Sequence, residues 1–89
     1  MKNSNDSIIK STLSSIIRDA MIANNGVVSV IDYGCGYAPY ADYIQNICGA
    51  EYLGVDISVE CLEFVQQNGY RACKPDQVGS GEEFDILLF

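Results

Sequence analysis

Asp32 closes an apolar, β-branched run and is followed directly by the turn-forming string Tyr33-Gly34-Cys35-Gly36-Tyr37-Ala38-Pro39. Glycines between a strand and a helix serve two ends: they accept positive φ, and they remove side chains that would hold a ligand off the backbone. A second acid, Asp56, closes the next apolar run 20 residues after Gly36. In a parallel sheet, adjacent strands bring both acids and the glycine turn to one edge, where open α/β folds bind ligands. A carboxylate placed like Asp56 can accept hydrogen bonds from the vicinal hydroxyls of a ribose. Two ligand classes use this layout. A dinucleotide site calls for Gly-x-Gly-x-x-Gly and a bare helix N-terminus for pyrophosphate, whereas Pro39 here takes the third glycine's place. Asp32 beside the turn would repel pyrophosphate and favours an ammonium or a nearby sulfonium. The residues point to an aminoacyl nucleoside, with an NAD-type dinucleotide-binding half-domain as the alternative.

Other chemistries are poorly provided for. The chain has no histidine, so the commonest general base and metal ligand is missing. Four cysteines stand at 35, 48, 61 and 73 with no Cys-x-x-Cys pair; they read as small half-buried hydrophobes, and no metal site is expected. Lys plus Arg number 5 against 12 Asp plus Glu, a net charge of −7, the wrong sign for coating nucleic-acid phosphates. No run approaches the roughly 20 apolar residues of a membrane span, and the N-terminus lacks the apolar core of a signal peptide. A cytoplasmic protein without membrane attachment is expected.

The elements that must position the two acids follow from periodicity. Ile9, Leu13, Ile16, Ile17, Ala20 and Met21 recur at helical spacing, predicting an amphipathic helix over about 5–24, capped by Asn5 or Asp6 and stopped at Asn25-Gly26. Residues 27–33 are apolar on both alternations and read as a strand buried on both faces. A helix is predicted over 39–48 with Pro39 at its first position. A strand follows at 51–57, then a helix capped by Ser58 that buries Cys61, Leu62 and Val65 and ends at Gly69. Residues 70–74 predict a third strand, 75–83 an irregular loop, and 84–89 a last strand. Such alternation means one α/β domain with a parallel sheet and crossover helices.

The matching strings are Asp32-Tyr33-Gly34-Cys35-Gly36-Tyr37-Ala38, Tyr52-Leu53-Gly54-Val55-Asp56-Ile57 and Phe84-Asp85-Ile86-Leu87-Leu88. In this order and spacing they cover residues 27–89 and resemble the N-terminal half of a class I S-adenosylmethionine-dependent methyltransferase. The resemblance implies a Rossmann-like sheet of order 3-2-1-4, with the N-terminal helix and two crossover helices on one face. It implies S-adenosyl-L-methionine as cofactor. Gly34, Cys35 and Gly36 would form the turn along the methionine portion, Asp32 would meet its amino group, and Asp56 would hold the ribose. Ile57 would lie against the adenine, and Asp76 is the acid available to recognise it. Ala38 stands where the family often has a third glycine. Asp85 begins its strand and therefore belongs at the far edge, with a structural role.

No catalytic residue is assigned, because in the family such groups follow the fourth strand. The methyl acceptor is expected to be a small molecule, a glycan or a lipid. Both crossover helices on one face leave the other face of the sheet bare and the last strand as an open apolar edge. The chain therefore reads as a single C-terminally truncated cofactor-binding domain that needs a further C-terminal half or an oligomer partner, inactive alone. A non-catalytic binding or assembly module is the competing reading.

Overall fold

The computed structural model describes residues 4–89. Helix α1 (Ser4–Ala23) precedes β1 (Ser29–Tyr33), a short π-helix (Tyr43–Ile47), β2 (Glu51–Val55), α2 (Val59–Gln67), β3 (Arg71–Cys73), a 3-10 turn (Pro75–Gln77) and β4 (Ile86–Leu88). The four strands are parallel and lie in the order β3-β2-β1-β4. This is the predicted order. Each strand is shorter than its predicted run.

Strand register sorts the side chains between the two faces. Val30 pairs with Tyr52 and with Ile86, and Asp32 with Gly54 and Leu88, so these residues share one face. Leu13 and Ile17 of α1, together with Ala41 and Ile44, pack on that face. Leu62 and Val65 of α2 close over Ala72 of β3 beside them. Cys61 is only half-buried, as are Cys48 and Cys73. Four of the six residues of the stripe predicted on α1, Leu13, Ile17, Ala20 and Met21, pack, while Ile9 and Ile16 are exposed. Asn5 and Asp6 lie within the helix rather than capping it; Asp6 sits in the first turn, favourable to the helix dipole, and pairs with Lys10 at 3.4 Å.

The predicted helix at 39–48 becomes turn at Pro39 and Tyr40 and helix from Ala41. Its last turn is widened, with the Cys48 N–H bonded to the Tyr43 carbonyl at 2.9 Å. Ser58 caps α2 as expected, its Oγ accepting from Cys61 N at 3.3 Å. The helix closes through Gly69 N to Gln66 O and Tyr70 N to Val65 O, the paired bonds of a Schellman motif.

The expectation of a bare second face is corrected. Ile31, Leu53 and Val55 point to that face and are only 1%, 2% and 1% exposed. Val78 and Phe84, from the segment joining β3 to β4, fold across them. The Pro- and Gly-rich composition of that segment signals irregular backbone, but irregular backbone still carries apolar side chains. Phe84 therefore serves as cover and not as strand. What stays outside lies along β4: Leu87 is 55% exposed and Phe89 94%, with the Phe89 ring stacked on Tyr33 at 5.6 Å.

Candidate functional site: the glycine turn and its two aspartates

The turn after β1 is fastened to the end of β2. Gly34 N and Cys35 N both donate to the Val55 carbonyl, at 2.7 and 3.1 Å. Gly36 N donates to Asp56 Oδ2 at 2.8 Å. Asp56 in turn accepts from Ser58 N at 3.0 Å through Oδ1, and its own N–H donates to Cys73 O. One carboxylate thus ties the turn, the cap of α2 and the end of β2 together. Gly34 and Gly36 lie at φ 73 and φ 56, and a Cβ on either would meet nothing within 4 Å. The space above them is open. Ala38 also has positive φ, at 55, while packing against the helical core.

Beneath the turn the packing is the reverse. A Cβ at Gly54 would stand 2.8 Å from Cys35 Sγ and 3.2 Å from the Tyr52 hydroxyl. Glycine is needed there for space, since its backbone is ordinary strand. The Cys35 side chain is buried in this layer, so only its backbone belongs to the surface of the turn. Burial, then the charges of Asp32 and Asp56, push its thiol up to about 11, so it stays neutral. The Tyr52 hydroxyl donates to Asp32 Oδ2 at 2.7 Å. Burial raises the Asp32 carboxyl above its ordinary value, and the Tyr52 bond partly offsets this. Asp56 shifts the opposite way: the N–H groups of Ser58 and Gly36 hold its carboxyl below the ordinary range.

All the anticipated residues lie along the C-terminal edge of the sheet. Asp32, Gly34, Cys35, Gly36 and Asp56 form one contiguous group. Ile57 follows with its side chain 82% exposed. Asp76 lies in the 3-10 turn directly after β3, exposed. Tyr37 stands out from the turn, donating to Glu60 at 3.2 Å with its ring edge-on to Phe64. Tyr40 and Tyr43, partly buried, pack against the helical core. Asp85 sits at the far edge, as its place at the start of the last strand implied. Tyr52 and Gly54 are the residues sequence reasoning passed over. Their signal was a lone phenol in an aliphatic strand, which demands a polar partner when buried, two residues before a glycine.

A cleft of about 430 Å³ lined by Gln45, Glu51 and Arg71 opens at the opposite edge of the sheet. Ligands of α/β folds collect at strand C-termini, which favours the turn over this cleft. Among the described residues, no three acids or thiols converge to hold a metal ion, and no helix is long and apolar enough to cross a membrane.

No protein-family model and no curated protein matches the chain. Solved structures do. The plantazolicin methyltransferase BpumL, in complex with SAH, aligns with 85% of this chain and 33% of its own, at TM-score 0.60 and 21% identity. A TehB-like SAM-dependent methyltransferase from Corynebacterium glutamicum aligns with 93% of this chain and 51% of its own, at TM-score 0.56 and 19% identity. The chain has the class I methyltransferase fold. PKMT2 from Rickettsia typhi, in complex with AdoHcy, aligns over 67% of this chain and 14% of its own, at TM-score 0.50 and 22% identity. This chain therefore spans about a third of the first methyltransferase and about half of the second. Within the methyltransferase fold, the glycine turn follows β1 and Asp56 follows β2, so both face the same edge.

Proposed function

We propose that this chain binds S-adenosyl-L-methionine and supplies the donor-binding part of a methyltransferase whose acceptor is a small molecule, a glycan or a lipid. The carrying observation is the turn itself: open space above Gly34 and Gly36, with the Asp32 carboxylate beside it. When bound, the donor supplies an electrophilic methyl group on a sulfonium. The chain's own residues bind and orient. Asp32 takes the amino group of the methionine portion, directly or through water. Asp56 keeps acceptor capacity for the ribose hydroxyls, since a carboxylate offers about four lone-pair sites and two are engaged by Gly36 and Ser58. Ile57 offers an apolar surface to one face of the adenine, and Asp76 an acceptor to its edge. The net charge of −7 favours the approach of a cationic donor.

The dinucleotide alternative loses its anion donors. The N–H groups of Gly34, Cys35, Gly36 and Ala38 are all engaged within the protein, and pyrophosphate at this point would face Asp32. Thermal melting separates the two readings. A ligand at a hundredfold excess over its Kd adds about 2.7 kcal/mol, which in a domain this small raises Tm by about 10–20 °C. S-adenosylhomocysteine is expected to give such a rise and NAD none; a rise with NAD alone reverses the assignment.

A further inference from the structure

Tyr52 is the largest fully buried side chain of the sheet, 2% exposed, and a buried phenol must find a polar partner. Register supplies it. Tyr52 lies opposite Val30 and Gly54 opposite Asp32, so Tyr52 and Asp32 share a face and the hydroxyl reaches diagonally to Oδ2. Room for that reach exists because residue 54 carries no Cβ. The Tyr70 ring, edge-on at 6.2 Å, fixes the other side of the phenol.

We propose that Tyr52 is a positioning residue of the donor site, whose hydroxyl anchors one oxygen of Asp32 and thereby aims the other at the amino group of the methionine portion. This inference rests on the donor-binding reading. It adds a residue from the floor of the sheet to a site otherwise built from turns. The hydroxyl has two effects. It fixes the carboxylate rotamer, and it favours the ionised form that an ammonium needs, against the burial that disfavours it.

Among the described residues, the titratable groups facing Asp32 are Tyr52 from β2 and Cys35 from the turn, with Asp56 beyond Cys35. Burial raises both the phenol and the thiol, so neither titrates on the acid side. Asp56 is shifted downward, which places its protonation below that of Asp32. The acid limb of ligand binding therefore reports Asp32 first.

Calorimetric titration of S-adenosylhomocysteine across the acid to neutral range, with wild type and Tyr52→Phe, tests the assignment. Loss of a hydrogen bond to a charged group weakens Kd about tenfold at neutral pH, and the acid limb is expected to move to higher pH. Replacing Tyr52 site-specifically by 3-fluorotyrosine keeps the shape and strengthens the donor; the limb is then expected to move to lower pH. A Tyr52→Phe protein that melts earlier but binds with an unmoved limb makes Tyr52 structural and overturns the inference. If Tyr52→Phe does not fold, the fluorinated variant decides alone, and an unmoved limb overturns it equally. Absence of binding by wild type removes the donor reading as well. Binding by wild type with unmoved limbs removes this inference only.

Discussion

Two ends of the same sheet carry aspartates in contrasting circumstances. At the N-terminal edge, Asp85 accepts from Asn24 Nδ2 at Oδ1, at 2.8 Å, and from Ser29 N and its hydroxyl at Oδ2, at 2.8 and 3.2 Å. It ties the exit of α1, the start of β1 and the start of β4 into one corner. At the C-terminal edge, Asp32 accepts at one oxygen from the Tyr52 hydroxyl below and lies two residues before Gly34, where the outer side of the turn is open. The difference lies in what remains for an outside partner. Asp56 falls between the two, accepting from backbone N–H groups at both oxygens while only half-buried at the C-terminal edge.

The contrast can be broken most severely at Asp32. Asp32→Asn keeps an oxygen for the Tyr52 hydroxyl but removes the charge; calorimetry should show S-adenosylhomocysteine bound about a hundredfold more weakly, in line with ~2–3 kcal/mol for a bond to a charged group, with Tm nearly unchanged. Next in size is Gly54→Ala, where the new methyl meets Cys35 Sγ and the Tyr52 hydroxyl. Overpacking of this kind costs about 2 kcal/mol, and thermal unfolding should fall by about 10 °C. Asp85→Ala should lower stability by about 1 kcal/mol through its lost hydrogen bonds and leave ligand affinity unchanged; a loss of affinity would erase the distinction between the two edges.

Acid titration of stability sharpens the comparison further. The depressed carboxyl of Asp56 contributes stability present above its ordinary value of 3.8 and lost as pH falls through the folded value. Asp32, shifted upward, has the opposite sign: its contribution is present below 3.8 and lost as pH rises through the folded value. Denaturant melts against pH should therefore show a shallower acid loss in Asp56→Asn than in wild type, and a steeper one in Asp32→Asn. The smallest effect is expected at Ala38. Its left-handed backbone costs about 1 kcal/mol, yet its methyl packs in the core. Ala38→Gly exchanges one for the other, and Tm should move by no more than a few degrees.

A parallel sheet, with the glycine turn and both acids at one edge, was legible because alternation and glycine turns are written locally, whereas the order 3-2-1-4 came from the resemblance of the three strings to class I methyltransferases. Ser58 as a cap and Asp85 as a structural acid were legible for the same reason. The Tyr52–Asp32 contact was not, because it arises from the pairing of Tyr52 with Val30 and from the missing side chain at Gly54, a relation between strands. Cover for Ile31, Leu53 and Val55 was also hidden, since Val78 and Phe84 sit in a segment whose composition reports only its backbone. The widened turn at Tyr43–Ile47 left no mark in a pattern that suits an ordinary helix equally well.

A crystal structure of the chain grown with S-adenosylhomocysteine tests the central claim most directly. The account predicts the ligand across Gly34 and Gly36, its amino group within hydrogen-bond reach of Asp32 and its ribose at Asp56. Ligand seated instead in the cleft lined by Glu51 and Arg71, or a turn left without ligand at saturating concentration, would contradict it.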